Sequence, residues 1–380
     1  MLLGLIITLA ILSGQLIKLP IFSGSISILD MLVIVLSIYG LYKLKFKLKT
    51  PPLLIKTAIA FVSICIISLI FTPLKLGLTE YLNSFFYTIR FFFYILFAFV
   101  IYSKAFPILQ KNLNKTLIYS GIGLSVLGLQ QFIFLPDLMF LTKWGWDPHY
   151  LRTVSTFLDP NFAGAYFVLT LLLTFYLRDK VITKPKILYL FLTLTFFALL
   201  TTFSRSSYLM FLTSGLSLAI FKKSKKITAL VLLSFAILLL GFNIYTQLVS
   251  KPRQIDREKS ASFRLNTWQQ GAHIFQISPL LGVGFNAYKY ALGEYELGDT
   301  DFLKTHGATS NDSSLLFVAA TTGVVGFSCY LYFIFTLFKS SSPILKSAIL
   351  GLLIHSIFAN SLFFPPILFW LLSISSNPKE

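Results

Sequence analysis

Charge is scarce in this sequence: only 12% of its 380 residues are Asp, Glu, Lys or Arg, against 56% hydrophobic residues and 40 Phe. A chain so poor in ionic surface does not make the polar shell of a soluble domain. Cysteine is nearly missing too. Cys65 and Cys329 both fall inside apolar stretches with no Cys-x-x-Cys pair or Cys/His cluster, which predicts free, buried thiols and no structural metal. The four His (His149, His273, His306 and His355) are dispersed, so no preformed zinc site is expected. No Gly-x-x-x-x-Gly-Lys phosphate cradle occurs, which disfavours ATP-driven transport. No cofactor is expected.

Apolar length is what the chain has in abundance. Runs of about 18 to 25 residues recur, the length that crosses ~30 Å of hydrocarbon as helix. They lack the period-2 alternation of barrel strands, and a lipid-exposed backbone must satisfy its own hydrogen bonds, so the spans should be helices. The predicted fold is an all-α polytopic membrane protein with about 12 transmembrane helices, near 1–17, 25–42, 52–72, 84–102, 116–135, 161–177, 187–203, 207–221, 227–246, 311–338, 347–363 and 364–375. The last is short and led by Pro365, which leaves eleven spans open. The opening run lacks a cationic segment before it and a small-x-small cleavage site after it, and reads as a retained helix. A single integral domain, 1–380, is expected, with one large extracytoplasmic loop at 247–310 containing amphipathic helices.

Lys and Arg set the orientation. Alternate connections hold Lys43, Lys45, Lys47 and Lys49; Lys104, Lys111 and Lys115; Arg178, Lys180, Lys184 and Lys186; Lys222, Lys223, Lys225 and Lys226; and Lys339 and Lys346, seventeen cations against one acid, Asp179. That face is predicted cytoplasmic, with both termini, and its basic loops are expected to meet anionic lipid heads. The opposite face carries twelve cations and eleven acids, so the formal +18 is mainly a topology signal and gives no support to nucleic-acid binding. Sixteen of the seventeen cytoplasmic cations are Lys, whereas five of the seven Arg (Arg152, Arg205, Arg253, Arg257 and Arg264) lie on the outer face. A planar guanidinium fork suits bidentate grip on phosphate or carboxylate, which marks the outer Arg residues for ligand contacts. Pairing with outer acids such as Asp256 and Glu258 is the alternative.

Four outer segments gather the polar chemistry. Arg152 leads through Asp159-Pro160-Asn161 into the sixth span. Asp159 or Asn161 can cap that helix, and the same amide-rich terminus, with Arg152, can hold an anionic head group. In Ser204-Arg205-Ser206, Arg205 sits on the wrong face for a topology determinant; it either snorkels to lipid phosphate or lies at the floor of an outward cavity and binds a diphosphate. In the long loop Leu265, Trp268, Ala272 and Phe275 recur at helical spacing, which predicts an apolar face bordered by Arg264, ended by Pro279, Gly282 and Gly284. Last, His306 and Asp312 precede the tenth span; either can take a proton from a hydroxyl nucleophile, or serve only as loop residue and N-cap.

Together these segments resemble the O-antigen ligase and O-antigen polymerase superfamily of bacterial membrane glycosyltransferases, from about Arg152 to the end. The resemblance rests on Asp159-Pro160-Asn161, Ser204-Arg205, the Arg264 to Trp268 helix, Pro279-Leu280-Leu281-Gly282-Val283-Gly284, and Thr322-Gly323-Val324-Val325-Gly326, in that order around one large loop. One departure stands out: Asp312-Ser313 occupies the place of the family's His-Asn, with His306 six residues upstream, which leaves the base open between the two and sets the chain apart from a typical lipopolysaccharide ligase.

The resemblance implies metal-independent, inverting transfer of a glycan from an undecaprenyl-diphosphate-linked donor to an acceptor hydroxyl at the outer face of the bacterial plasma (inner) membrane. Arg205 and Arg264 would stabilise the diphosphate leaving group, and His306 or Asp312 would deprotonate the acceptor. Arg152, Asn161, Ser204 and Trp268 are expected to bind substrate. Arg90, inside a span and expensive in lipid, is expected to face the bundle, toward Asp30 or the diphosphate. The acceptor is a lipid, a glycan or a protein, because ligation, repeat-unit polymerisation and protein O-glycosylation share this chemistry. The rival class is a lipid-linked glycan flippase or other secondary transporter, which places charged sites near the bilayer midplane among inverted repeats. Neither feature shows in the hydropathy pattern.

Overall fold

The computed structural model describes residues 2–21, 24–47, 50–178, 184–251 and 257–376, without the side chains of 257–261. Lys49, Asp179, Lys180, Arg253 and Asp256 lie outside the described residues, as do the side chains of Arg257 and Glu258.

Each of the twelve apolar runs forms a helix: α1 Leu2–Ser13, α2 Ile28–Lys43, α3 Leu53–Ile70, α4 Leu78–Tyr102, α5 Pro107–Phe134, α6 Pro160–Tyr176, α7 Pro185–Thr202, α8 Arg205–Phe221, α9 Lys225–Tyr245, α12 Ser314–Lys339, α13 Pro343–His355 and α14 Pro365–Ser375. Two more, α10 Arg257–Ile277 and α11 Tyr288–Glu294, fold within the long connection. Among the described residues, six helices are long and apolar enough to cross a membrane: α3, α4, α5, α7, α9 with its π-turn to Ser250, and α12. The chain is therefore an all-α, multi-pass membrane protein. The 26 residues of α12 suffice for a crossing by themselves, so His306 to Ser313 lie ahead of that span.

Burial sorts the helices. α6 is buried on all sides from Ala163 to Thr174, as an apolar helix at the centre of a bundle must be. α9 buries only Val231, Leu238 and Tyr245, and leaves Leu232, Leu233, Leu239 and Leu240 about half exposed or more, a surface that lipid would cover. Small residues let the central helices close up: a Cβ on Gly164 of α6 would stand 2.4 Å from Ser207 Oγ of α8.

Two irregular features were not foreseen. An antiparallel hairpin joins α1 to α2, β1 Lys18–Ile21 with β2 Gly24–Ser27, and sets Lys18 opposite Ser27. The second is a break in α12 at Gly323, whose φ of 63° and ψ of −169° leave the helix. The turn after α10 inserts there. Val283 N and Gly284 N donate to the freed carbonyls of Ala320 and Thr321 (3.1 and 3.0 Å), while Val324 N donates to Pro279 O (2.8 Å). A side chain at Gly323 would strike the Leu280 backbone, and one at Gly282 the Thr321 backbone, so glycine is required on both sides. The Pro279–Gly284 and Thr322–Gly326 segments, distant in sequence, are thus one interlocked structure.

Candidate functional site

A cavity of about 590 Å³ lies at one end of the bundle. Its walls come from the α1–α2, α5–α6 and α13–α14 connections, the first half of α4, the start of α6 and the long connection between α9 and α12. No described residue of the Lys-rich connections after α2, α4, α6, α8 or α12 lines it. The α13–α14 connection reaches it because those helices are short: 13 and 11 residues rise only about 20 and 16 Å, less than a bilayer core. Irregular backbone at such depth is tolerated where it lines a cavity, as Phe358, Asn360 and Phe363 do here.

One lobe is built around Arg264 and Asp312. Arg264, half-buried on α10, lines the cavity, and its guanidinium has no hydrogen-bond or ion-pair partner among the described residues. Asp312 is held from below: Thr267 Oγ1 donates to Asp312 Oδ2 (3.2 Å), and the neighbouring Asn311 amide donates to Thr267 O and to Tyr288 Oη (2.9 Å). Gly271 makes room, since a Cβ there would meet Asn311 Nδ2 at 2.6 Å. Burial pushes the Asp312 carboxyl up to about 6, against the opposing pull of Arg264 and of the Thr267 hydroxyl. Asp312 therefore holds a proton more firmly than an exposed carboxylate, as a general base should.

Asp159 and Asn161 complete this lobe from α6. Asp159 is the N-cap, its Oδ1 accepting from Asn161 N (2.6 Å) and Phe162 N (3.0 Å). Asn161 Oδ1 accepts from Ser204 Oγ (2.7 Å) and Ser206 Oγ (3.2 Å), which leaves its NH₂ group without a partner among the described residues. His355 stands behind, Nε2 at 3.4 Å from both Ser206 Oγ and Ser207 Oγ.

The other sequence-nominated residues are placed as follows. Arg205 is exposed and does not line the cavity, contrary to its expected position on the floor; as the first residue of α8 it points away, while the buried Ser204 and Ser206 beside it hold Asn161. Its charge and that of Arg264 still repel each other. Arg152 also lies off the lining: Nε donates to Thr202 O (2.9 Å) and Nη2 to Phe203 O (3.4 Å), carbonyls at the C-terminal end of α7. Trp268 packs on Phe358 at 5.9 Å, outside the cavity. The buried face of α10 is Thr267, Gln270, Gly271 and Ile274, a rotation from the expected Leu265–Trp268–Ala272–Phe275 stripe, and Leu265 is 55% exposed. Close packing on Asn311 and the Gln270 Nε2 bond to Leu297 O (2.6 Å) decide that face, not hydrophobicity. Arg90 does face inward. It lines the cavity, pairs with Asp30 at 3.7 Å and covers the Tyr87 ring at 4.3 Å.

His306 lines the cavity in a different setting from Asp312. Its ring packs on Trp146 at 4.4 Å, with Lys18 Nζ 5.2 Å from the same indole. Burial, and then the Lys18 charge, lower its pKa, which keeps the imidazole neutral near pH 7. Sequence reasoning missed Lys18, Trp146, Asp147 and Lys289, all on the lining. It also missed Asn311, although that residue is next to Asp312. The chain further contains one Asp-x-Asp triplet, Asp299-Thr300-Asp301, and it stands off the cavity: Asp299 Oδ1 accepts from Phe302 N (2.6 Å) and Asp301 pairs with Lys304 (3.1 Å).

Fold and site together define a helical membrane protein with a charged cavity at one end of the bundle. The family comes from comparison with known proteins: residues 189–331, from α7 into α12, match the family model of O-antigen ligase, which supports the O-antigen ligase superfamily. That stretch contains Arg205, Arg264, His306 and Asp312, but not Lys18, Arg90 or Asn161. No curated protein matches the chain.

Proposed function

We propose that this protein transfers a glycan from an undecaprenyl-diphosphate-linked donor to an acceptor hydroxyl, by an inverting and metal-independent route, at the outer face of a bacterial plasma membrane. The observation that carries the reading is the pairing, in one lobe, of a free guanidinium, Arg264, with a carboxyl of raised proton affinity, Asp312. Asp312 takes the proton of the acceptor hydroxyl. The oxygen attacks the anomeric carbon, the bond from that carbon to the diphosphate oxygen breaks, and its electron pair leaves with the diphosphate. Arg264 meets the charge that develops there, the Asn161 NH₂ group adds a neutral donor, and Arg205 contributes only through its field. Asp312 then returns its proton to water.

Orientation follows the charge pattern. The cavity draws on the connections opposite the Lys-rich ones, so both termini and the basic loops are cytoplasmic and the 247–310 loop is extracytoplasmic in a single integral domain. The test is transfer by purified protein in liposomes, with a labelled undecaprenyl-diphosphate glycan, candidate lipid, glycan and protein acceptors, and a metal chelator. Chelator-resistant product that Arg264→Ala abolishes is the expected result. Label that crosses the bilayer with no product from any acceptor overturns the proposal in favour of a transporter.

A further inference from the structure

The proposed reaction leaves a second cationic cluster in the same cavity unused. Lys18 of β1 and Arg90 of α4 both line it. Between them they face one carboxylate, Asp30, whose oxygens are already engaged: Ser27 N and Ser27 Oγ donate to Oδ2 (3.0 and 2.7 Å) and Tyr94 Oη donates to Oδ1 (2.8 Å). Arg90 Nη1 stands 3.7 Å from Oδ2, too far for a hydrogen bond. The Lys18 ammonium has no ion-pair or hydrogen-bond partner among the described residues and rests over Trp146. Lys289 of α11 lines the same cavity and is close enough to act on His306.

This cluster and Arg264 act on different neighbours. Lys18 interacts with Arg90, Asp30 and His306, whereas Arg264 interacts with Arg205, Asp147, Asp159 and Asp312. Partly desolvated cations without enough internal counter-charge are costly, and an anionic ligand offsets that cost. Arg264 has Asp147, Asp159 and Asp312 near it, whereas Lys18 and Arg90 share Asp30, so the second centre calls for an anion of its own, apart from the donor diphosphate.

We propose that Lys18, Arg90 and Lys289 form a second anion subsite, which takes a phosphate or carboxylate carried on a sugar of one of the two substrates. The subsite stands on the geometry; its assignment to a transfer substrate rests on the glycan-transfer reading. Burial and the Arg90 charge hold Lys18 down to about 8, so anion affinity falls as pH rises through about 8. The charged groups facing Lys18 are Arg90 on α4, Asp30 on α2 and His306 in the long connection.

Trp146, beneath Lys18, supplies the assay. The full chain in nanodiscs is titrated with glucose 6-phosphate, glucuronate and neutral glucose while tryptophan fluorescence is followed, and Trp146→Phe identifies the reporter. Saturable binding of the phosphate or the carboxylate sugar is expected, and which one binds distinguishes the two. Glucose should give no response. Lys18→Met and Lys289→Met should each weaken binding about 10-fold, the loss of one charge-assisted contact, while Arg264→Ala leaves it unchanged. Undecaprenyl diphosphate should not displace the sugar anion. Unaltered affinity in both lysine variants, loss of binding in Arg264→Ala, or an equal response to glucose overturns the subsite. Failure of the transfer reading looks different: no product in liposomes, with Lys18-dependent anion binding intact. If both hold, Lys18→Met raises KM for whichever substrate carries the anion.

Discussion

Asp312→Asn separates catalysis from stability at one atom pair. The carboxyl is moved from an ordinary 3.8 to about 6 because burial favours its neutral form. The working form of a base is the carboxylate, so kcat/KM should be level above pH ~6 and fall about tenfold per pH unit below it. The Asn variant, isosteric but unable to accept the proton, should lose about 10²- to 10⁴-fold in kcat at pH 7, with a smaller deficit below pH ~6, where the wild-type carboxyl is itself protonated. Stability should move the other way. A carboxyl whose folded pKa is raised weakens the fold as pH climbs from about 4 to about 6, and the full cost is present at pH 7. Two units correspond to about 3 kcal/mol before screening, so about 1 to 2 kcal/mol for a half-buried group. Removing the charge should therefore raise Tm in detergent at pH 7 and leave it unchanged at pH 4. The assay is a pH series of transfer rate and thermal unfolding, wild type beside Asp312→Asn and His306→Ala. A kcat/KM profile flat through pH 6, an active Asn variant, or an inactive His306→Ala protein with Asp312→Asn near wild type would refute the assignment of the base.

Other substitutions probe the same architecture. Arg264→Ala should lower kcat about 10²- to 10³-fold, the cost of a lost charge-stabilising donor, whereas Arg205→Ala, off the lining, should lose about tenfold or less; equal losses would return Arg205 to the cavity. Arg152→Ala should lower Tm with KM for the donor unchanged, because Arg152 bonds the end of α7 and does not line the cavity; a raised KM without a stability loss would contradict this. Gly323→Ala should destabilise by about 1 to 3 kcal/mol or fail to fold, from positive φ and collision with Leu280, as read by thermal unfolding.

The parts of the fold that were legible in the sequence are those governed by local rules. Twelve apolar runs became twelve helices because length and the need for internal hydrogen bonding act within each segment. The Asp159 cap was legible for the same reason, since it satisfies amides two and three residues ahead, whereas Ser204, read as a ligand donor, proves to cap α8. What escaped depends on a distant partner. The α10 face follows from contact with Asn311, not from its own hydrophobic stripe, and the kink at Gly323 is stable only because residues 279–284 fill it. Arg205 was misplaced because a guanidinium at a helix start can point toward or away from the axis of a bundle, and sequence spacing does not decide which.

Lys18 shows the same limit from the other side. In the linear sequence it is one outer cation among twelve, next to a hairpin that hydropathy does not reveal. Only the fold brings it beside Arg90, seventy-odd residues on, and Trp146, further still. The cavity is thus assembled from both parts of the chain: the stretch that matches the O-antigen ligase family model, residues 189–331, supplies Arg264, Asp312 and His306, while the part before it supplies Lys18, Arg90 and Asn161. If the first set carries the transfer step and the second helps select what is transferred, exchanging the segment before α7 with that of a relative should change which sugar anion is bound and leave the pH dependence set by Asp312 in place. A chimera with altered pH dependence and unaltered anion preference would show that this division of labour is wrong.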